Sequence, residues 1–312
     1  MIGIYGAAIT AFLAAAVRMA IPLTLAGLGE TVSERSGIIN IGVEAIMLCG
    51  AFFSFLAVFV TGNFALGLIA GMAGGAAVSV IHALLSLKCR ADQTIAGLAL
   101  NFLALGLTNF LFLQGFGRST ALPSIMVVKP VPLPPLSRIP LIGPVLFELD
   151  IFGYLCLTAV ILLCLLFYKT EWGVSLHAVG EHPRAADTAG LPVERIRFMA
   201  ALANGILGGL GGAYLPMAKL GFFIENITSG KGYIALVAVI LGRRNPAGVF
   251  LAALVIGAAE ALQFRLQTSG INIPSQVFTM FPYIMTVLAL LFSIGRSRDP
   301  AALGIPYDRD QR

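Results

Sequence analysis

Charge is what this sequence lacks most: only 11% of its 312 residues are Asp, Glu, Lys or Arg, against 58% hydrophobic, and mean hydropathy is +0.92. Soluble domains carry about 25% charged residues, so a water-soluble enzyme is excluded. Histidine is scarce too. His82, His177 and His182 are scattered without ligand spacing, and no Ser, His and Asp set stands out, which leaves catalysis without a candidate site. The cysteines Cys49, Cys89, Cys156 and Cys164 form no CxxC pair and three of them lie in apolar runs. They read as small core residues, not as a disulfide or metal framework. A nucleotide-binding motif is also missing: after Gly230 and Lys231 comes Gly232, where a phosphate-binding loop needs Ser or Thr. No basic stretch precedes the first apolar run, which argues against a cleaved signal peptide.

What is present is apolar sequence almost end to end. A spanning helix needs about 20 apolar residues, and breaks in the runs predict nine crossings: 3–28, 41–61, 64–87, 93–114, 150–168, 198–218, 232–242, 246–264 and 275–295. The fold class expected is all-α, a polytopic transmembrane helical bundle of about 8–10 spans including broken or short helices, in a single membrane domain over residues 1–312. The net charge of +5 then reports topology and not a nucleic-acid partner, because Lys and Arg collect in cytoplasmic loops. Placing 169–197 in the cytoplasm puts Arg35, Lys88, Arg90, Lys169, Arg184, Arg195, Arg197, Arg243, Arg244, Arg296, Arg298, Arg309 and Arg312 on that side. Arg118, Lys129, Arg138, Lys219, Lys231 and Arg265 fall on the other, and Arg18 lies within a span. This bias predicts an outside N-terminus and a cytoplasmic C-terminus.

Four segments depart from plain spans. The run 232–242 is too short to cross about 30 Å as a helix, so it is a half-helix or part of a broken crossing, which membranes tolerate where it lines a cavity. "GETVSERSGIINIG" packs Glu30, Glu34, Arg35 and Asn40 between apolar runs and is expected to re-enter the membrane in part. Residues 115–150 hold Pro123, Pro130, Pro132, Pro134, Pro135, Pro140 and Pro144, which rules out a continuous helix in this extracytoplasmic loop; it is a docking ledge or gate, or a plain linker. The polar segment 169–197 contains "HPRAADTAGL", with Pro183 at a helix start and Gly190 after its end. Such a surface helix either transmits force from a soluble engine or is a simple connector. Glycines in "GMAGGAAVS" and "GILGGLGGAY" recur at the spacing that lets helix backbones approach closely in lipid.

Ionisable groups in lipid are costly and point to a pathway or a structural pair; Arg18, Glu44, Asp92 and Glu260 qualify. For Glu44 the bland alternative is capping a helix N-terminus. Asn40, Asn101 and Asn204, each beside an apolar run, either bond a polar solute or act as interhelical glue.

"GLGETVSERSGIINIGVEAIMLCGAF", "AVGEHPRAADTAGLPVERIRFMAALANGILGGLGGAYL", "ADQTIAGLALNFLALGLT" and "GKGYIALVAVILGRRNPAG" resemble the permease subunits of bacterial ABC importers of the ribose and branched-chain amino acid type, most closely the nucleoside and simple-sugar branch. The likeness covers nearly the whole chain; it departs at Ala45, where close relatives are expected to carry glycine. The resemblance implies a non-enzymatic transport subunit in the bacterial inner membrane, working by alternating access. It implies a coupling helix over Gly180–Leu191, including Gly180, Glu181, Pro183, Arg184, Ala185, Ala186 and Gly190, that docks on a cytosolic ATPase. ATP and Mg would be bound by that partner, with no cofactor in this chain. A second, similar permease chain and an extracytoplasmic solute-binding protein are implied as well. The residues expected along the pathway of a small-molecule solute are Asn40, Glu44, Asn101, Phe102, Asn204 and Phe222. Competing readings are a permease for branched-chain amino acids and a secondary transporter driven by protons through Glu44, Asp92 or Glu260.

Overall fold

Apolar runs of this length satisfy their backbone within lipid only as helices, and helices are what form. The computed structural model describes residues 2–117, 122–134, 136–139, 142–268, 275–293 and 299–308. Arg118, Pro135, Pro140, Arg296, Arg298, Arg309 and Arg312 lie outside the described residues. The helices are α1 (Ile2–Arg35), α2 (Val43–Thr61), α3 (Phe64–Leu87), α4 (Gln93–Phe116), α5 (Ile142–Leu146), α6 (Ile151–Lys169), α7 (Glu171–Glu181), α8 (Pro183–Thr188), α9 (Val193–Tyr214), α10 (Lys231–Leu241), α11 (Pro246–Thr268) and α12 (Ser275–Ser293). Among the described residues, seven helices are long and apolar enough to cross a membrane. Beside them stand the short α10 and the apolar α12, so the expected polytopic bundle is what the chain builds.

Local sequence starts these helices where expected. The side chains of Asn63, Asp92 and Asp150 accept the amides of Ala65, Ile95 and Gly153 at the N-termini of α3, α4 and α6. The interior of the bundle is formed by α1, α2 and α9, with α3 laid on α2 and α9, and α11 and α10 laid on α1. The clustered glycines make this possible. A Cβ on Gly212 would collide with the carbonyl of Met47, and one on Gly75 with that of Gly205, so the small-residue faces serve close packing inside the chain.

Several boundaries and placements differ from the sequence expectation. The first span does not stop at residue 28: α1 runs to Arg35 because Glu30 and Glu34, which looked like loop residues, are buried and find partners. Residues 36–42 then double back beside it, the Asn40 amide donating to Glu30 Oε1 at 2.8 Å. Arg197, assigned to a loop, is fully buried in α9 and donates to the carbonyls of Ser36 and Ile305. Lys219 and Lys231, assigned to an outer loop, point into the bundle and share Glu260. The proline-rich region is pinned as an extended cover: Ile125 and Val128 donate to the carbonyls of Gly221 and Met217, and Val131 and Leu133 to those of Leu149 and Phe147.

Candidate functional site

α10 is the half-helix. At 1.5 Å per residue its 11 residues span about 16 Å, half of a hydrocarbon core of about 30 Å. Its C-terminal corner lies with the end of α1, which itself abuts the end of α7 at Gly180, so its N-terminus stands at mid-depth, where unpaired amides cost several kcal/mol each, roughly. Glu44 resolves this. Its carboxylate accepts the Thr228 hydroxyl and the amides of Gly230 (2.8 Å) and Gly232 (2.7 Å). The anion also sits at the positive end of the α10 dipole. Glu44 therefore caps a helix, as the bland alternative had it, but a helix nearly two hundred residues away. Gly232 is required, because a Cβ there would meet the backbone nitrogen of Glu44 at 2.5 Å.

The same level gathers the other polar residues singled out from sequence. Asn101 accepts the Ala45 amide at 2.9 Å and donates to the Ile41 carbonyl (3.1 Å) and the Tyr233 hydroxyl (2.9 Å). The amide that Ala45 offers is thus used, whatever its side chain. Glu30 accepts from the Asn40 amide and, at 2.6 Å, from Asn204 Nδ2, while Asn40 Oδ1 takes the Gly42 amide. Asn40 Nδ2 and Asn204 Oδ1 stay buried without a protein partner. The structure thus brings Asn40, Glu44, Asn101 and Asn204 together between helices, and it does not bring Phe102 or Phe222 to them. Phe102 is 74% exposed on the outer face of α4, and Phe222 lies half-buried under the cover, bridged to Ser124.

The carboxylates offered for proton coupling are engaged. Glu260 is held by Lys231 at 2.8 Å and Lys219 at 3.2 Å, and Asp92 caps α4. Arg18 reaches the Glu148 carbonyl at 3.4 Å.

At the end of the bundle where α10 terminates, residues 171–191 form two helices rather than one. Pro183 disfavours helical backbone at the residue before it, and His182, at φ −139°, breaks the run. Gly180 and Glu181 therefore close α7 and are not part of α8, which carries Pro183, Arg184, Ala185 and Ala186. Ala186 is buried, Arg184 and Ala185 are exposed, and Gly190 follows with φ +89°. Leu176, Val179, Ala186, Val193 and Ile196 pack beneath as one apolar cluster with Val32 of α1. Burial and the nearby Arg35 charge push the His177 imidazole below its ordinary value, and its ring packs edge-on to Phe167. Residues 299–308 strap these corners together, a feature with no sequence signal. Ala302 donates to the Gly180 carbonyl, Gly304 to that of Gly37, and Ala301 to Glu181. Asp308 pairs with Arg90, and Asp299 with Arg244, which also binds Glu34.

Among the described residues no three His, Cys, Asp or Glu side chains are placed to hold a metal, and Cys49, Cys89, Cys156 and Cys164 are free. The arrangement is that of a packed membrane body with a broken helix inside and a braced surface helix at one end. Residues 12–290 match the family described as branched-chain amino acid transport system / permease component. The chain belongs to this permease family. It is similar to the guanosine ABC transporter permease protein NupQ of Bacillus subtilis, 38% identical over 303 residues that cover 94% of this chain and 95% of NupQ. The nucleoside ABC transporter permease protein NupC of Lactococcus lactis subsp. cremoris is 37% identical, covering 92% of this chain and 93% of that protein. The putative glucose ABC transporter permease protein TsgC13 of Haloferax volcanii is 34% identical, over 95% and 97%. This permease is accordingly a membrane-embedded transport subunit and not an enzyme, and the family works with an ATPase and a substrate-binding protein.

Proposed function

We propose that this permease forms half of the translocation pathway of an ABC importer for a nucleoside or a simple sugar. The solutes named for its relatives support that class. A second permease chain completes the pathway, and a cytosolic ATPase that binds ATP and Mg docks on α8, with the N-terminus outside and the C-terminus cytoplasmic. The observation that carries this reading is the brace around α8: a six-residue surface helix rests on a buried apolar cluster, and the end of α7 that leads into it, at Gly180 and Glu181, is tied by the strap, through Asp299 and Arg244, to the lower corner of α10. Displacing α8 would pull on α10, whose upper end stands at mid-membrane. Alternating access needs such a mechanical link, since the chain has no engine of its own. Glu44 and, through Tyr233, Asn101 serve the pathway by holding that upper end in register, and Asn40 and Asn204 serve it beside them, on Glu30.

The test is Arg184→Glu beside Gly190→Pro. Arg184→Glu inverts an exposed charge on α8, and Gly190→Pro imposes φ of about −65° where the backbone has +89°. Both variants should insert normally, and both should lose uptake and co-purification of the ATPase. Unchanged uptake in both would refute the docking assignment.

A further inference from the structure

The turn that leads into α10 has two faces with opposite character. Residues 222–230 connect the π-helical end of α9 (Leu215–Leu220) to Lys231 without helix. On the inner face Ile227 and Thr228 are buried, Thr228 against Glu44. On the outer face Glu225, Asn226 and Ser229 are exposed, with Asn226 and Ser229 at φ +53° and +46°. Depth can be read from the neighbours. Glu225 Oε1 accepts Asn109 Nδ2 at 3.0 Å, and Asn109 stands 16 residues into α4, about 24 Å from its start. Ser229 lies next to the amides that Glu44 caps. This polar, non-helical face is thus level with the apolar exterior of α4, where Leu103 and Leu107 are 59% and 41% exposed.

Irregular backbone at membrane depth is tolerated only when buried in protein or lining water, and an exposed carboxylate there is costly against lipid. The outer face of the turn is not buried in this chain. We propose that Glu225, Asn226 and Ser229, flanked by Asn109, line the water-filled solute path and that Glu225 is a specificity-determining residue for neutral, hydroxyl-bearing solutes. This rests on the reading of the chain as one of a permease pair, whose seam this face would border. The charge pattern selects the solute class. Lys219 and Lys231 turn away to Glu260, so Glu225 is the charged group on the outer face of the turn. With Asn109 on Oε1, Oε2 is left to accept solute hydroxyls, while a solute carboxylate meets like charge. Asn226 adds an amide that donates and accepts, and Ser229, whose hydroxyl donates to the Asn226 carbonyl at 3.0 Å, adds an acceptor.

The experiment uses the assembled transporter in native membranes. Ser229→Cys and Asn226→Cys are made with Cys89→Ser and Cys164→Ser, since those two cysteines are exposed or partly so, and Leu103→Cys serves as the lipid-facing control. A hydrophilic maleimide should label positions 229 and 226 at least about tenfold faster than 103, the effect of water against hydrocarbon around the thiol. Guanosine or glucose delivered by the binding protein should slow labelling at 226, and leucine should not. Glu225→Gln should cut uptake of the protecting solute about tenfold, the worth of one charged hydrogen bond. Labelling at 229 no faster than at 103, protection by leucine alone, protection by none of the three, or wild-type uptake in Glu225→Gln each overturns the assignment. Arg184→Glu separates the two proposals: failed ATPase docking abolishes its uptake but leaves thiol labelling at 229 unchanged.

Discussion

The two ends of α10 are both held by carboxylates from other elements, and they are held differently. At the upper end Glu44 takes two backbone amides and a hydroxyl, so the grip is on the main chain and aligned with the helix dipole. At the lower end Glu34 and Asp299 take the side chain of Arg244, and the Asp299 side chain is 63% exposed. A main-chain grip in a dry interior fixes a position. Of the two lower pairs, Arg244–Glu34 is buried, whereas the Asp299 arm is exposed and can be made and broken at small cost, because exposed pairs contribute about 0–1 kcal/mol. The permease thus anchors α10 where solute is proposed to pass and leaves it steerable where the ATPase is proposed to pull.

Three substitutions probe this contrast, and the largest effect is expected at the upper end. Glu44→Ala leaves the buried Thr228 hydroxyl and Gly232 amide and the part-buried Gly230 amide unpaired, at roughly 1–3 kcal/mol for each buried donor, so folded protein recovered in detergent should fall sharply. Glu44→Ala that melts within a degree of wild type would mean the clamp is dispensable. Next comes Arg244→Met, which strands the buried Glu34 at a cost of about 3–5 kcal/mol and should lower the melting temperature with uptake. The smallest effect on stability belongs to Asp299→Ala, near about 1 kcal/mol or less. In that variant uptake should drop while the ATPase still co-purifies, because the strap is loosened and α8 is not. If Asp299→Ala destabilised the protein as much as Arg244→Met, the lower end would be as rigid as the upper one and the contrast would vanish.

Much of this was legible before any coordinates. The crossings follow from run length and charge breaks, and the half-helix at 232–242 was visible as a run too short to span. The glycine faces of 71–75 and 205–212 announced close packing. The end of α1 was missed because Glu30 and Glu34 look like loop residues until Asn204 and Arg244, far along the chain, are placed beside them. Likewise Lys219 and Lys231 satisfied the topology rule as loop cations, yet Glu260 draws both inward. The outward face of the turn at Glu225, Asn226 and Ser229 carried no sequence signal, since exposure at depth is a relation between a residue and the whole bundle. Nor did the strap at 299–308, whose grip consists largely of backbone hydrogen bonds that any residue can make.

Hydrophobic length and local capping act over a few turns of chain, so membrane residence, helical class and most helix starts were settled by neighbours along the sequence. Which buried carboxylate meets which donor depends on residues a hundred or two hundred positions apart, and only packing decides it. For that reason the order of amino acids was enough to identify a membrane permease, whereas the division of its polar residues into clamps and a solute-facing surface came from three dimensions.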